Sequence, residues 1–226
     1  MRRLAIVLMA GMLLASTAGS VSAAKPAVGG FLPANAHPHG YSLVDLATAW
    51  NAWAFSAPPE DNPFLNERCE RSPTDPKIWF LPEANPYGGP PAVTCEVPQG
   101  AFLVFSPFFI EWSQAELIDN WILDHPASEA ELRAAVEDTF ALVDSVEVTF
   151  DGQTVTKADL ADYVVVTDLD TLPAGNLASP NPTDTMNEGF FMVIAPLSRG
   201  THTLSASWDL PAFEAQAALT ITIEVR

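Results

Sequence analysis

Basic residues are scarce in this sequence. Its 226 residues include 10 lysines and arginines against 28 aspartates and glutamates, which gives a formal net charge of −18 at pH 7. Binding to nucleic acid or to an anionic membrane surface requires clustered basic side chains. The composition therefore excludes nucleic acid as a partner. It favours a protein that is soluble outside the cell, with calcium or a cationic partner as the alternative meaning of the acidity.

Cysteine is also rare, and the chain contains only Cys69 and Cys95. They form no Cys-x-x-Cys pair, and neither has a histidine close to it in sequence, so a redox or metal site at these residues is disfavoured. Two cysteines in an oxidising compartment are expected to form a disulfide. We therefore predict a structural disulfide between Cys69 and Cys95.

Long apolar runs are missing beyond the N terminus. The one at Leu4–Leu14 follows two arginines and is shorter than the roughly 20 residues that a membrane-spanning helix needs. Small residues then lead to Val21-Ser22-Ala23, which fits the cleavage pattern of a secretory signal peptide. We predict a signal peptide over residues 1–23 that is cleaved near Ala23. The mature protein is expected to be secreted or periplasmic, without an integral membrane segment.

Proline and small residues dominate residues 24–40, which predicts a flexible lead-in. The length of the remainder, residues 41–226, is typical of a single domain. Ser42 is followed three residues later by an acid, and apolar residues recur at helical spacing as far as Phe55. The sequence therefore predicts an N-terminal helix. Two Ser-x-x-Glu capping boxes predict a two-helix insertion at about 113–143.

Strands are predicted on both sides of this insertion. Ala101–Ile110 is almost continuously apolar, which is typical of a strand covered on both faces, and Pro107 is expected to end its ladder or to occupy a bulge. The segments from His202 to Trp208 and from Leu219 to Val225 alternate between apolar and polar residues, as antiparallel strands with one wet face do. We predict a mainly β (α+β) fold, an antiparallel β-sandwich of immunoglobulin-like or jelly-roll-like type.

A series of short motifs accompanies this pattern. They are Trp50-x-x-Trp53, Asn62-Pro63, Cys69, Trp79-Phe80-Leu81, Cys95-x-x-Pro98-x-Gly100 and Pro196-Leu197-x-x-Gly200-x-His202. In this order the chain resembles a family of uncharacterised secreted bacterial proteins. The resemblance implies export, the pairing of Cys69 with Cys95 and a β-rich domain, and it brings no reaction, cofactor or catalytic residue. The segment rich in Pro, Glu and Asn after Leu81 departs from the family pattern.

Catalytic candidates are few, because no Gly-x-Ser-x-Gly nucleophile motif is present. Glu111 follows the apolar strand and has aromatic Trp112 beside it, so its pKa could be raised as in a general acid. Alternatively, Glu111 is the first exposed residue of the strand end or the partner of a helix amide. His202 shares an inward face with Leu204 and Trp208, which fits either a catalytic histidine or a core histidine bonded to a backbone carbonyl.

Ligand-binding candidates are Trp53 and Trp112, although core packing of the first helix is the favoured explanation for Trp53. No cofactor is implied. Calcium is the exception, because loop oxygens of an acidic exported protein could supply its ligands. Their spacing does not match a known calcium motif. The residues in question are Asp168, Asp170, Asn181, Asp184 and Asn187.

Three functional hypotheses follow. The first is a non-catalytic β-sandwich that binds a glycan, an envelope component or a protein, and tryptophans lining a groove would favour a glycan. The second is a carboxylate-dependent hydrolase, for example a glycan-directed one, which requires Glu111 and a second acid in one pocket. The third is a structural protein whose last strand, Ala218–Val225, pairs with another chain, which requires that strand to be uncovered.

Overall fold

The computed structural model describes residues 29–84, 91–120 and 122–226. The predicted signal peptide at residues 1–23 lies outside the described residues, as do the first residues of the predicted lead-in. Among the described helices, none has the length and apolar character of a membrane span.

Helices and strands follow the order that the sequence predicts. The helices are α1 (Leu43–Phe55), α2 (Gln114–Asp119) and α3 (Glu129–Phe140). The strands are β1 (Glu70–Arg71), β2 (Ile78–Phe80), β3 (Ala92–Val97), β4 (Phe102–Ser113), β5 (Ser145–Phe150), β6 (Gln153–Thr156), β7 (Val164–Val166), β8 (Asp170–Leu172), β9 (Thr183–Ile194), β10 (Gly200–Leu210) and β11 (Ala215–Val225). Short 3₁₀ turns occur at Pro38–Gly40, Lys157–Tyr163 and Pro211–Phe213.

The strands form two sheets that share one apolar core. The first sheet has the order β1-β2-β4-β9-β7, with β8 also paired to β9, and the second has the order β3-β11-β10-β5-β6. This confirms the predicted mainly β fold with an N-terminal helix and a two-helix insertion. The pairs β2–β4 and β3–β11 are parallel, so the sheets are mixed rather than purely antiparallel. Alternation of side chains is the same in both pairings, so the sequence pattern alone could not separate them.

Strand β4 is buried on both faces, as its apolar sequence predicts. Phe105 and Phe108 pack in the core between the sheets, whereas Val104 and Phe109 pack on the opposite side with α1. The register with β9 shifts between Phe105 and Phe108, so Pro107 lies at an irregularity of the ladder where its missing amide proton is tolerated. Because side chains alternate between the two faces of a strand, β4 contributes to both cores.

Helix α1 covers the outer face of the first sheet. Ser42 and Asp45 form its N-terminal capping box, and the helix buries Leu46, Ala47 and Trp50 against the sheet. The Trp50 indole Nε1 donates a hydrogen bond to the Leu81 carbonyl oxygen at 3.0 Å. The insertion is capped in the same way, by Ser113 at α2 and by Ser128 at α3. All three helix starts therefore lie where the sequence places them.

The predicted flexible lead-in is wrong from Gly29 onward. Phe31 is 1% exposed and forms a bridge to Ile194 at the end of β9. The Leu32 amide donates to the Val193 carbonyl at 2.8 Å, and the Tyr163 hydroxyl donates to the Leu32 carbonyl at 2.8 Å. One large apolar residue among small ones was enough to anchor this segment, because its burial against the sheet outweighs the loss of chain freedom.

The last strand is covered, which contradicts the hypothesis that it pairs with another chain. β11 lies inside the second sheet, between β3 and β10. Its residues from Thr220 to Val225 pair with β3 on one side and with β10 on the other. Within the described residues, Thr220 to Val225 therefore have a strand on each side and offer no free edge for strand addition.

Cys69 and Cys95 form a disulfide that joins the two sheets. Their Cα atoms are 5.6 Å apart across a sequence separation of 26 residues. Cys69 directly precedes β1 of the first sheet, and Cys95 is buried in β3, the outer strand of the second. The bond therefore links the edge of the first sheet at β1 to the edge of the second sheet at β3.

Replacing both cysteines with alanine is expected to lower the free energy of unfolding by about 2–4 kcal/mol, because the open chain regains conformational freedom. Urea unfolding of the wild type, the double variant and the reduced wild type measures the difference. The reduced wild type should match the variant. Equal stability of the oxidised and reduced wild type would show that the bond does not stabilise the fold.

Candidate functional site

A cleft of about 690 Å³ opens beside the part of β4 that extends past β2. β2 pairs only with Phe102 to Val104, so within the described residues the outer edge of β4 has no neighbouring strand in this sheet beyond that point. Side chains from both faces of β4, from α2, from α3 and from the turn between β10 and β11 surround the exposed edge. We call this space the carboxyl–aromatic cleft, after the two kinds of side chain that line it.

Three carboxyl groups line the carboxyl–aromatic cleft, those of Glu83, Glu111 and Glu116. Glu111 lies near the end of β4, Glu116 in the first turn of α2, and Glu83 in the segment after β2. The carboxylate hypothesis required a second acid beside Glu111 in one pocket, and the structure provides two. The lining residues include no lysine, arginine or histidine in the described chain.

Glu111 and Glu116 form a directly hydrogen-bonded pair. Burial raises the pKa of Glu111 well above its ordinary value, and the neighbouring charge and hydrogen bond of Glu116 raise it further. The Thr185 hydroxyl donates to the Glu111 carboxyl and opposes this shift. Glu116 in turn accepts from the Ser113 amide at 3.0 Å and hydroxyl at 2.7 Å. Burial and Glu116 therefore both favour the protonated form of Glu111.

Glu83 is 2% exposed and touches the open edge of β4. It accepts a hydrogen bond from the Phe109 backbone amide, which would otherwise lack a partner at this edge. Burial raises the pKa of Glu83 well above its ordinary value, and the Phe109 amide lowers it by a smaller amount. Its Oε2 has no hydrogen-bond partner among the described residues.

Aromatic rings form the apolar part of the cleft on the α1 side of β4. Phe55, Phe64 and Phe109 pack in a triangle, with ring centroids 5.7 to 5.9 Å apart. Phe109 lies directly opposite Gly189 of β9, where a Cβ atom would come within 2.6 Å of the Phe109 Cβ. The glycine thus leaves room for Phe109 to remain in place.

A second aromatic group lines the cleft on the other face of β4. The rings of Phe108 and Trp208 are 5.1 Å apart in an edge-to-face arrangement, and Phe213 lies at the entrance with 52% of its surface exposed. Trp112 is fixed by its Nε1, which donates to the Thr139 hydroxyl at 3.0 Å. The Trp208 Nε1 is buried and has no acceptor in the described part of the chain. A tryptophan N–H in such a position usually finds a partner.

The structure places the candidate His202 away from this cleft. Its ring stacks on Phe150 at the rim of the second sheet, where Nδ1 is 2.7 Å from the Asp151 carboxylate and Nε2 is 3.0 Å from the Ser198 carbonyl. Both ring nitrogens are therefore occupied, and the carbonyl contact matches the structural alternative. The Asp151 hydrogen bond raises the pKa of His202, an effect that partial burial opposes and the Ser198 carbonyl reinforces.

Trp53 is also separate from the cleft. Its Nε1 donates to the Glu70 carboxylate at 3.1 Å, and its ring packs against Trp50 and Phe80. Trp112 is thus the one sequence-predicted ligand candidate that lines the cleft, together with Glu111. Trp121 lies outside the described residues.

The calcium candidates do not converge. Asp184 accepts from the Thr171 hydroxyl at 2.6 Å, while Asn187 is fully buried on β9 opposite Glu111. Among the described residues, no group of three or more histidine, cysteine, aspartate or glutamate side chains is arranged to hold a metal ion. Asp170 and Asp184 lie in strands β8 and β9 rather than in loops, and their carboxylates accept hydrogen bonds from the Thr171 amide and hydroxyl.

Sequence reasoning missed Glu83, Glu116 and Trp208 as site residues. The sequence predicts Glu116 as a helix-capping residue, and the structure confirms this role. Its additional contact with Glu111 has no signal in the local sequence pattern. Glu83 lies in a proline-rich segment that reads as a loop. Only the parallel pairing of β2 with β4, which brings Glu83 beside Phe109, creates the site.

Comparisons of the chain with family models, with curated proteins and with solved structures found no match. The resemblance to secreted bacterial proteins therefore stays a prediction.

Substituting Glu116→Gln is expected to lower the pKa of Glu111, because the charge disappears and the new amide can donate to the Glu111 carboxylate. Glutamine also keeps the helix cap. Carboxyl-detected NMR of glutamate-labelled protein measures the titration.

The matched control is Glu131→Gln, which changes the equivalent capping residue of α3 and should leave Glu111 unaffected. An unchanged Glu111 titration in Glu116→Gln would show that the two carboxyls are not coupled.

His202 makes a separate, pH-dependent contribution to stability. Because its pKa is raised in the folded state, the contribution is complete below the unfolded pKa of about 6.5 and is lost as pH rises through the folded pKa. His202→Gln should lower the free energy of unfolding by less than about 1 kcal/mol at acidic pH, since the Asp151 partner is half exposed.

Urea unfolding across the pH range tests this expectation, with Asp151→Asn as the control that removes the same ion pair. Asparagine tolerates the positive φ of 45° found at residue 151. Parallel stability profiles for wild type and His202→Gln would contradict the assignment.

Proposed function

We propose that this protein is an exported ligand-binding module whose site is the carboxyl–aromatic cleft. Its volume lies within the range of about 300–1,000 Å³ that is usual for small-molecule sites. A mostly apolar lining with a few convergent polar groups of shifted pKa is the common composition of such sites. The observation that carries the proposal is the convergence of three carboxyl groups and two aromatic clusters on one strand edge.

Unpartnered polar atoms inside the cleft support a binding role. Burying a polar atom without a hydrogen bond costs about 1–3 kcal/mol, and the Glu83 carboxyl oxygen and the Trp208 N–H are two such atoms. Other buried side-chain atoms in the described chain, such as those of Asn51 and Asn187, also lack partners, but these two belong to residues that line the cleft. A ligand that forms hydrogen bonds with the Glu83 oxygen and the Trp208 N–H would remove this cost, and the free energy recovered would contribute to its affinity.

Export is the second part of the proposal. The N-terminal sequence pattern predicts a signal peptide, and the Cys69–Cys95 disulfide fits an oxidising compartment. Together they favour a periplasmic or extracellular location, where the ligand is an envelope component or a molecule free in the surroundings.

A carboxylate-dependent hydrolase is the second candidate, favoured by the direct contact of Glu111 with Glu116. A neutral carboxyl beside an ionised one can activate water and protonate a leaving group, as paired aspartates do in acid proteases. Glycosidases instead keep their two carboxyls about 5–10 Å apart. The hydrogen-bonded pair therefore favours amide or ester hydrolysis over a glycan-directed reaction.

Phe213→Ala is expected to weaken binding by about 3- to 10-fold, since the exposed ring lies at the cleft entrance and a ligand would cover it. The mature protein is screened against oligosaccharides, amines, and aromatic acids and alcohols by saturation-transfer NMR and tryptophan fluorescence. Affinities of the hits are then compared between wild type and variant.

Leu142→Ala is the matched control, because Leu142 is 49% exposed and does not line the cleft. Absence of binding by every compound, or equal affinity of the two variants, would contradict a site in this cleft. Turnover of peptides or esters that disappears in Glu111→Gln would favour the hydrolase over the binding module.

A further inference from the structure

The charge of the cleft is not balanced by the protein. Elsewhere in the described chain, carboxylates pair with arginine or histidine, as in Glu129 with Arg133 and Asp151 with His202. The cleft carries three carboxyls and no basic side chain among its described lining residues. A buried carboxylate without a counter-charge is disfavoured, so either a proton or a bound cation must neutralise it.

The position of Glu83 indicates where a cation would lie. One of its oxygens is occupied by the Phe109 amide, while Oε2 has no partner among the described residues although the side chain is almost fully buried. This oxygen belongs to a side chain that lines the cleft together with Glu111. A donor placed between the two carboxyls would complete their hydrogen bonding.

The aromatic rings indicate that the cation is organic. Phe55, Phe64 and Phe109 on one side and Phe108 and Trp208 on the other line the cleft, and the half-exposed ring of Phe213 adds open apolar surface at its entrance. A hydrated metal ion gains little from such surface, and no cluster of three metal-binding side chains is present in the described chain. An ammonium group within about 6 Å of ring centroids is attracted to their faces, and its hydrocarbon part is removed from water.

We propose that the carboxyl–aromatic cleft binds an organic ammonium cation, with the ammonium group at Glu83 and Glu111 and the hydrocarbon part between the two aromatic clusters. This inference rests on the proposed function and names the class of its ligand. The net charge of −18 supports it, because a strongly negative protein raises the local concentration of cations and repels anions. The unpartnered Trp208 N–H additionally suits a ligand that carries an acceptor oxygen.

Binding of a cation must be coupled to proton release. The titratable groups that line the cleft in the described chain are Glu83, Glu111 and Glu116. Because the pKa values of Glu83 and Glu111 are raised, the free site holds protons that a cation displaces. Affinity for an ammonium ligand therefore increases with pH until these carboxyls are ionised, whereas affinity for a neutral ligand does not.

The test compares three probes that share one ring and differ in charge: benzylamine, benzyl alcohol and benzoate. Isothermal titration calorimetry of the disulfide-bonded mature protein near neutral pH is expected to show benzylammonium binding about 10-fold or more tightly than benzyl alcohol, and no binding of benzoate. Titrations in two buffers of different ionisation enthalpy should show proton release for benzylammonium alone.

Glu83→Gln is expected to reduce benzylammonium affinity about 10-fold and to leave benzyl alcohol unchanged. Glu111→Gln provides a second variant in case the first does not fold. Glu147→Gln, on an exposed position of β5, removes the same unit of charge outside the cleft and should have little effect.

Equal affinity for benzylamine and benzyl alcohol would overturn the cation inference while leaving the binding function intact. Binding of an oligosaccharide but of no amine would overturn it in the same way. Absence of binding by every class of compound would overturn both the inference and the proposed function.

Discussion

The pairing of β4 with β9 is the interaction on which the rest of the structure depends. It runs from Leu103 to Ser113 and crosses a register shift at Pro107. Before and after this shift, side chains of β4 enter both apolar cores, the one between the sheets and the one under α1. Because β2 covers only the start of β4, the same strand that organises both cores also has an edge without a neighbouring strand among the described residues. The cleft is a direct consequence of that mismatch in strand length.

An uncovered strand edge normally requires protection against pairing with another chain. Here a side chain provides part of it, since Glu83 accepts the outward-pointing Phe109 amide proton. A carboxyl in this position cannot be replaced by an apolar residue without leaving the amide unsatisfied. One oxygen of Glu83 is sufficient for the Phe109 amide. The second oxygen, Oε2, has no hydrogen-bond partner within the described chain. This surplus oxygen fits the proposed role of the cleft in ligand binding.

Local sequence signals predicted most of the elements, and they failed where distant segments meet. Three capping residues placed the helix starts, and the apolar run predicted β4, because each depends on neighbours within a few residues. The parallel pairs depend on segments far apart in sequence and have no local signature. Glu111 could be identified as a candidate because it directly follows the apolar segment of β4 in the sequence. Glu83 could not be identified in the same way, because it becomes part of the site only through the pairing of β2 with β4.

Buried acids also occur outside the cleft, in surroundings that differ from those of Glu83 and Glu111. Burial raises the pKa of Glu188 to about 7, an effect that nearby Glu137 reinforces and Arg133 on α3 opposes. Glu67 is likewise raised to about 7 by burial alone. A shifted pKa is therefore not unusual in this acidic protein and does not by itself mark a site. What distinguishes the cleft is that its acids share one space with two aromatic clusters and, within the described chain, with no base.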